Sequence, residues 1–218
     1  AILCNAYTEE TVGEGDQEKQ RVFLNFHPAL APVKVAVLPL VKKDGLAEKA
    51  QEITTEAANR GTRMHKFLED YVKGEPMNES ITNPFAQQSQ KMAKIVITEG
   101  MKNVSEVWGS EVPLYFPELY ARTTDCVGLH KGEQSILDFK QTNKPKKLEY
   151  VQNYFLQLVA YAEAHNEIYG TNIREGHIFM CSRGDDGMEL GGETYQQFDV
   201  WPHEYDEWRT EWYNRVYT

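Results

Sequence analysis

The sequence predicts an α/β protein with a β-α appendage at its N-terminus. Two observations carry this expectation. Five segments of strand character, Ser110–Phe116, Tyr120–His130, Gln134–Lys140, Glu175–Ser182 and Glu193–Trp201, are interleaved with helical periodicity, including a long amphipathic stretch at Lys147–Tyr169. Ahead of them, the nearly continuous β-branched and apolar run Val33–Val41 leads into a helical stretch at Leu46–Ile53, a separate β-α unit. The 218 residues, 41% hydrophobic and 26% charged, suit a globular chain of one or two domains.

From Ala1 to about Ile53 the order reads as a short helix, a turn-rich stretch, a strand and a helix. Thr11–Glu18 carries two glycines and three acids and reads as a loop. Pro39 marks the end of the Val33–Val41 strand, and Asp44-Gly45 turns the chain. One strand and one helix cannot close a core, so this unit, residues 1–53, is incomplete by itself.

From Thr54 onward the elements are fuller, and residues 54–218 read as the second domain. Thr54-Thr55-Glu56 can cap a helix running to about Lys73, with Met64, Phe67, Leu68, Tyr71 and Val72 at helical spacing. Gly74-Glu75-Pro76 ends it, and a second helix is expected from about Pro84 to Val107. Lys131-Gly132-Glu133 between two strand candidates suggests an antiparallel hairpin. On the Lys147–Tyr169 helix, Leu148, Val151, Phe155, Leu158, Val159 and Ala162 are expected to turn inward. The last two strands flank the turn Gly184-Asp185-Asp186-Gly187, and Pro202–Tyr217, rich in Trp and Tyr, closes as a helix.

Composition excludes several classes. No apolar run approaches the roughly 20 residues that span a bilayer, so no membrane partner is expected. The start, AILCNAYTEE, has neither a basic n-region nor a long apolar stretch, and no secretory signal is expected. Cys4, Cys126 and Cys181 are scattered and odd in number, which argues against a disulfide scaffold, a zinc ribbon or an iron–sulfur cluster. A reducing, cytoplasmic setting is the expectation; a phage-encoded protein in an infected cell or a nucleoid-associated one also fits. The net charge of −10 speaks against a broad nucleic-acid footprint, but carboxylates that hold divalent metals count as negative too. One stretch is locally basic: Lys140, Lys144, Lys146 and Lys147, with Glu149 the one acid nearby.

Four features of the second half converge on one chemistry. Asp125 sits in a strand, and Asp138-Phe139-Lys140 ends the next one. Residues i and i+2 of a strand share a face, so Asp138 and Lys140 project together, and a hairpin brings Asp125 towards Asp138. Two carboxylates about 4 Å apart need a cation, and Mg²⁺ or Mn²⁺ with its preference for oxygen supplies it. Glu111 leads the preceding strand and could complete the carboxylate set. Gln157 and Tyr161, four apart, put an amide and a phenol on one helical face, suited to hold a base or a phosphate. The acids could also be solvated strand-end groups and Gln157–Tyr161 a polar pair at a helix edge; likewise His65, on the Thr54–Lys73 helix, could be a packed or surface histidine and the lysine cluster a solvated loop. Trp201, Trp208 and Trp212 read as packing residues for the last helix.

In this order the residues resemble the PD-(D/E)XK nuclease superfamily, closest to its RecB-like branch that includes the mitochondrial genome maintenance exonuclease. Gly61-Thr62-Arg63-Met64-His65 is similar to the branch's G-T-x-x-H helix motif, Asp125 to its first acid, Asp138-Phe139-Lys140 to D-x-K, and Gln157–Tyr161 to Q-x-x-x-Y. No proline precedes Asp125; Thr124 stands there. The resemblance covers about 54–218 and implies a restriction-endonuclease-like core with a central mixed sheet flanked by helices. It also implies metal-dependent phosphodiester hydrolysis of DNA, as single strands or duplex ends. By the same resemblance Asp125, Asp138, the Phe139 carbonyl, and Glu111 or His65 would hold one or two Mg²⁺ or Mn²⁺. Lys140 would position water or neutralise charge. Gln157, Tyr161, Lys144, Lys146 and Lys147 would contact DNA. An exonuclease is the first expectation, a homing- or repair-type endonuclease the second, and an inactive nucleic-acid-binding accessory protein the third.

Residues 1–53 resemble a different family, glycyl-tRNA synthetase. The run Leu30–Lys43 (LAPVKVAVLPLVKK) is the most specific part, similar to the end of the catalytic domain and the start of the anticodon-binding domain. The stretch expected to carry the ATP-binding arginine is absent, so synthetase activity is not expected. An engineered fusion, an appended remnant, or a synthetase exon joined to a mobile-element nuclease each fit this junction.

Overall fold

The computed structural model describes residues 7–12, 19–24, 46–183 and 192–217. Near the start of the chain, β1 (Tyr7–Val12) pairs antiparallel with β2 (Lys19–Leu24), Tyr7 opposite Leu24 and Val12 opposite Lys19. This corrects the reading of a short helix and loop there: Thr11 and Val12 belong to a strand, as the β-branched residues of both segments favour. The expected strand at Val33–Val41 and the turn at Gly184–Gly187 lie outside the described residues.

The next element, α1 (Leu46–Val72), runs unbroken for 27 residues across the expected boundary at 53/54. Thr54 caps nothing; its hydroxyl donates back to the Ala50 carbonyl four residues earlier, and the alanine-rich surroundings favour continued helix. Next, α2 (Pro84–Glu99) starts on the Asn83 side chain, which accepts the N–H groups of Phe85 and Ala86. It ends at Glu99, eight residues before the expected Val107, and is capped by Gly100. A side chain there would meet the Phe179 ring 2.7 Å from its Cβ. A 3₁₀ turn follows, and Val104 already belongs to β3 (Val104–Phe116).

The core is a five-stranded mixed sheet in the order β3-β4-β5-β6-β7, with helices on both faces. Its strands after β3 are β4 (Tyr120–His130), β5 (Glu133–Thr142), β6 (Glu175–Ser182) and β7 (Thr194–Val200). All neighbours run antiparallel except β5 and β6, which are parallel. The parallel pair needs a crossover, supplied by α3 (Gln152–Tyr169). The β4–β5 hairpin turns on Lys131 and Gly132, both at positive φ (52° and 90°), the left-handed pair of a tight two-residue turn.

Side-chain alternation sorts the core into two layers. On one face Val127, Ile136, Ile178 and Met180 pack against Phe155, Leu158 and Val159 of α3. On the other, Cys126, Leu137, Phe139, Phe179 and Cys181 pack against Met64 and Leu68 of α1 and Met92, Ala93 and Val96 of α2. The paired strand β6 is buried at every position. The closing helix α4 (Pro202–Tyr217) lies on α3, with Trp208 against Phe155 and Trp212 edge-on to Tyr120. The Lys147–Tyr169 segment is not one helix: a 3₁₀ turn at Leu148–Tyr150 precedes α3, and Leu148, expected inward, is 61% exposed. Among the described residues no helix is long and apolar enough to cross a membrane.

Candidate active site

The site begins where β4 and β5 part. Their ladder runs from His130↔Glu133 to Cys126↔Leu137 and stops one pair short of Asp125 and Asp138. At that level the Phe139 N–H donates to Asp125 Oδ2 at 2.7 Å, so a side-chain carboxylate stands where a strand carbonyl would serve. Asp138 and Lys140 share the α3 face of β5 and form an ion pair. Asp138 is 1% exposed, and its Oδ1 has no hydrogen-bond partner. The Lys140 ammonium meets the other oxygen, Oδ2. Lys140 lies over the Tyr154 ring, 5.4 Å from its centre.

Two further residues come in from neighbouring elements. His65, on α1, places Nδ1 3.5 Å from Asp125 Oδ1. Glu111, in the middle of β3 rather than leading it, falls opposite Asp125 between the pairs Ser110↔Cys126 and Val112↔Thr124. Its φ is +52°, a left-handed conformation costly for a non-glycine residue, in a strand whose register with β4 also shifts at Val104/Glu106 and Val107/Gly109. Ligand atoms of His65, Glu111 and Asp125 all lie within 4.8 Å of one another. His65 and Glu111 line an open groove together with Gly61, Thr62, Lys66 and Glu69.

The electrostatics follow from burial and partners. Burial pushes the Asp138 carboxyl up to about 6, against the pull of Lys140 and with the push of Asp125. For Asp125 burial also acts upward, but the His65 hydrogen bond and charge, Lys140 and the Phe139 N–H leave it below the usual range. Burial lowers His65 and Lys140, yet the adjacent carboxylates hold both above their ordinary values. Glu111 is raised, by burial and then by Asp125. A buried carboxylate oxygen without a partner, held beside an acid and histidine set, is what a divalent cation would satisfy. The residues present fit Mg²⁺ or Mn²⁺.

The other expected residues are arranged more loosely. Gln157 donates to the buried Tyr161 hydroxyl at 2.6 Å, and the Tyr161 phenol is raised by burial and sits within electrostatic range of Asp138 and Lys140. Lys144 and Lys147 are exposed and Lys146 half-buried; they precede or open the 3₁₀ turn rather than α3 itself. Gln196 of β7 anchors this loop, accepting the Lys146 N–H at 2.7 Å and donating to its carbonyl at 2.9 Å. Of the G-T-x-x-H stretch, Met64 is core, Thr62 bonds back to Ala58, and Arg63 pairs with Glu56.

Sequence reasoning did not single out Arg60. It is 1% exposed and ties α1 to β5, donating to Gln141 at 2.8 Å and to Asn143, while Gln141 donates to the Ala57 carbonyl at 2.9 Å. Gln141, directly after D-x-K and pointing to the α1 face, was the available signal.

No protein-family model matches the chain. A segment of 56 residues is 56% identical to the glycine–tRNA ligase of Treponema denticola, covering 25% of this chain and 12% of the ligase. The corresponding ligases of Lachnoclostridium phytofermentans and Ruminiclostridium cellulolyticum are 55% and 60% identical over 56 and 53 residues. The chain thus spans 10–12% of the length of these relatives. A solved structure from Eubacterium rectale, described as a "Putative exonuclease", aligns at a TM-score of 0.48 and 13% identity, covering 72% of this chain and 66% of that one.

Proposed function

We propose that this protein is a metal-dependent deoxyribonuclease that hydrolyses phosphodiester bonds, acting as an exonuclease on single strands or ends. The observation that carries the reading is the buried Asp138, paired with Lys140 and within electrostatic range of Asp125, with an oxygen left over for a cation. Asp125, Asp138 and the Phe139 carbonyl, joined by Glu111 or His65, would hold Mg²⁺ or Mn²⁺. The ion would acidify a bound water and offset the charge that develops on the phosphoryl oxygens.

The chain's own residues do the rest. The Phe139 N–H fixes the Asp125 carboxylate and leaves its Oδ1 towards His65. Lys140, kept protonated by Asp138 and Asp125, offers a cation for a phosphate oxygen. The Gln157–Tyr161 pair forms a polar edge for a base or sugar, and Lys144, Lys146 and Lys147 attract the backbone phosphates.

The test is a digest of 5′- and 3′-labelled single- and double-stranded DNA with Mg²⁺, Mn²⁺ or EDTA. Cleavage with metal and none with EDTA is the expected result; no cleavage of any DNA refutes the reading. The glycyl-tRNA synthetase segment favours a second reading, a homing-type endonuclease associated with a synthetase gene. A closed circular plasmid separates the two, since an exonuclease leaves it intact.

A further inference from the structure

A second cluster of potential metal ligands lies on the opposite face of the sheet from Asp138. His130 ends β4, about 17 Å along the strand from Asp125 at ~3.4 Å per residue. Glu175 and His177 open β6 two residues apart, on one face. His130 and His177 are wholly buried and Glu175 is 6% exposed. Ligand atoms of the three lie within 4.8 Å of one another, and the two imidazole rings are 3.9 Å apart.

The hydrogen bonds around them are uneven. Nδ1 of His177 bonds Asp199 Oδ1 at 2.7 Å, which turns Nε2 towards Glu175 Oε1 at 3.2 Å. Glu175 also accepts the Ser135 hydroxyl at 3.0 Å. Both ring nitrogens of His130, by contrast, are buried without any partner. A buried polar group left unpaired is costly, so a histidine aimed at a second histidine and a glutamate calls for an occupant. The Asp199–His177 contact is the carboxylate support that metal-bound imidazoles use to fix their tautomer.

We infer that His130, His177 and Glu175 form a zinc site of three protein ligands, with Asp199 orienting His177. Two imidazoles and a carboxylate suit Zn²⁺, whose ligands stand about 2.0–2.2 Å from the ion. The ion would tie the end of β4 to the start of β6 across β5, and it takes no part in hydrolysis. The inference does not depend on the nuclease reading.

The experiment uses the full chain carrying Asp125→Asn and Asp138→Asn, which disables the other cluster, and zinc alone as the probe. After incubation with Zn²⁺ and desalting, about one zinc per chain is expected, with a thermal midpoint that falls on chelation. Adding His130→Ala should lower retained zinc at least about tenfold and remove the effect of chelator on the midpoint. If His130→Ala does not fold, the near-isosteric Glu175→Gln is expected to give the same loss. The visible bands of bound Co²⁺ should likewise be present in the background protein and absent from either variant. No retained zinc in the background protein overturns the inference and leaves an ion-free His177 held between Asp199 and Glu175. Undiminished zinc in the folded variants overturns it equally.

Discussion

The Asp125 carboxylate and the Phe139 N–H meet at 2.7 Å where backbone pairing between β4 and β5 has stopped. This hydrogen bond orients one acid through the backbone of the strand that carries the other acid and the amine. Displacement of β5 at this level therefore disturbs Asp125, Asp138 and Lys140 together.

Asp138→Asn and Lys140→Ala should each lower metal-dependent cleavage by at least about 100-fold. Circular dichroism and a cooperative melt should show both folded. Undiminished cleavage in either folded variant would remove that residue from the site.

Asp138 also sets a pH signature in metal-free protein. Its folded value, about 6, lies above that of an ordinary aspartate, so the folded state binds the extra proton. By linkage its contribution is most favourable at low pH and declines as pH rises from about 4 through about 6. Denaturant unfolding in EDTA checks this. The stability of the parent relative to Asp138→Asn should fall across that window and level off above it.

Glu111 should reverse the usual order of small residues in a strand. Alanine there normally exceeds glycine by about 0.5–1 kcal/mol. With φ at +52°, Glu111→Gly should instead be about 1 kcal/mol more stable than Glu111→Ala. Both should lose metal affinity alike, measured by Mn²⁺ titration. Equal stability of the two would mean that β3 relaxes to an ordinary conformation.

Replacing Lys144, Lys146 and Lys147 together with alanine should weaken DNA binding. The salt dependence should flatten too, its slope dropping by about 1 for every phosphate these lysines neutralise. Cleavage at saturating DNA should change little, since the three lie on the loop that leads into the 3₁₀ turn before α3, not on the strands that carry the acids. An unchanged slope would return the loop to ordinary solvated surface.

The sheet and the acid pair were legible because they rest on short-range rules. Alternation gave the strands, Lys131-Gly132 gave the hairpin, and the hairpin gave the Asp125–Asp138 level. What was not legible rests on tertiary packing. The early end of α2 is set by the fit of Gly100 against Phe179, and the continuity of α1 by helix formers on both sides of Thr54. The His130 cluster draws on three strands, β4, β6 and β7, which no local pattern joins. Leu148 obeyed the helical period and still faces solvent, because the chain makes a tighter turn before α3 begins.

The unbroken α1 has a mechanical consequence. At about 1.5 Å per residue it is a rod of some 40 Å, with His65 about 28 Å from its first residue. Residues 48–55 are exposed along its shaft. Torque applied at that far tip would be delivered to the histidine without a joint to absorb it, so cargo fused or docked ahead of Leu46 would have a handle on the groove that His65 lines.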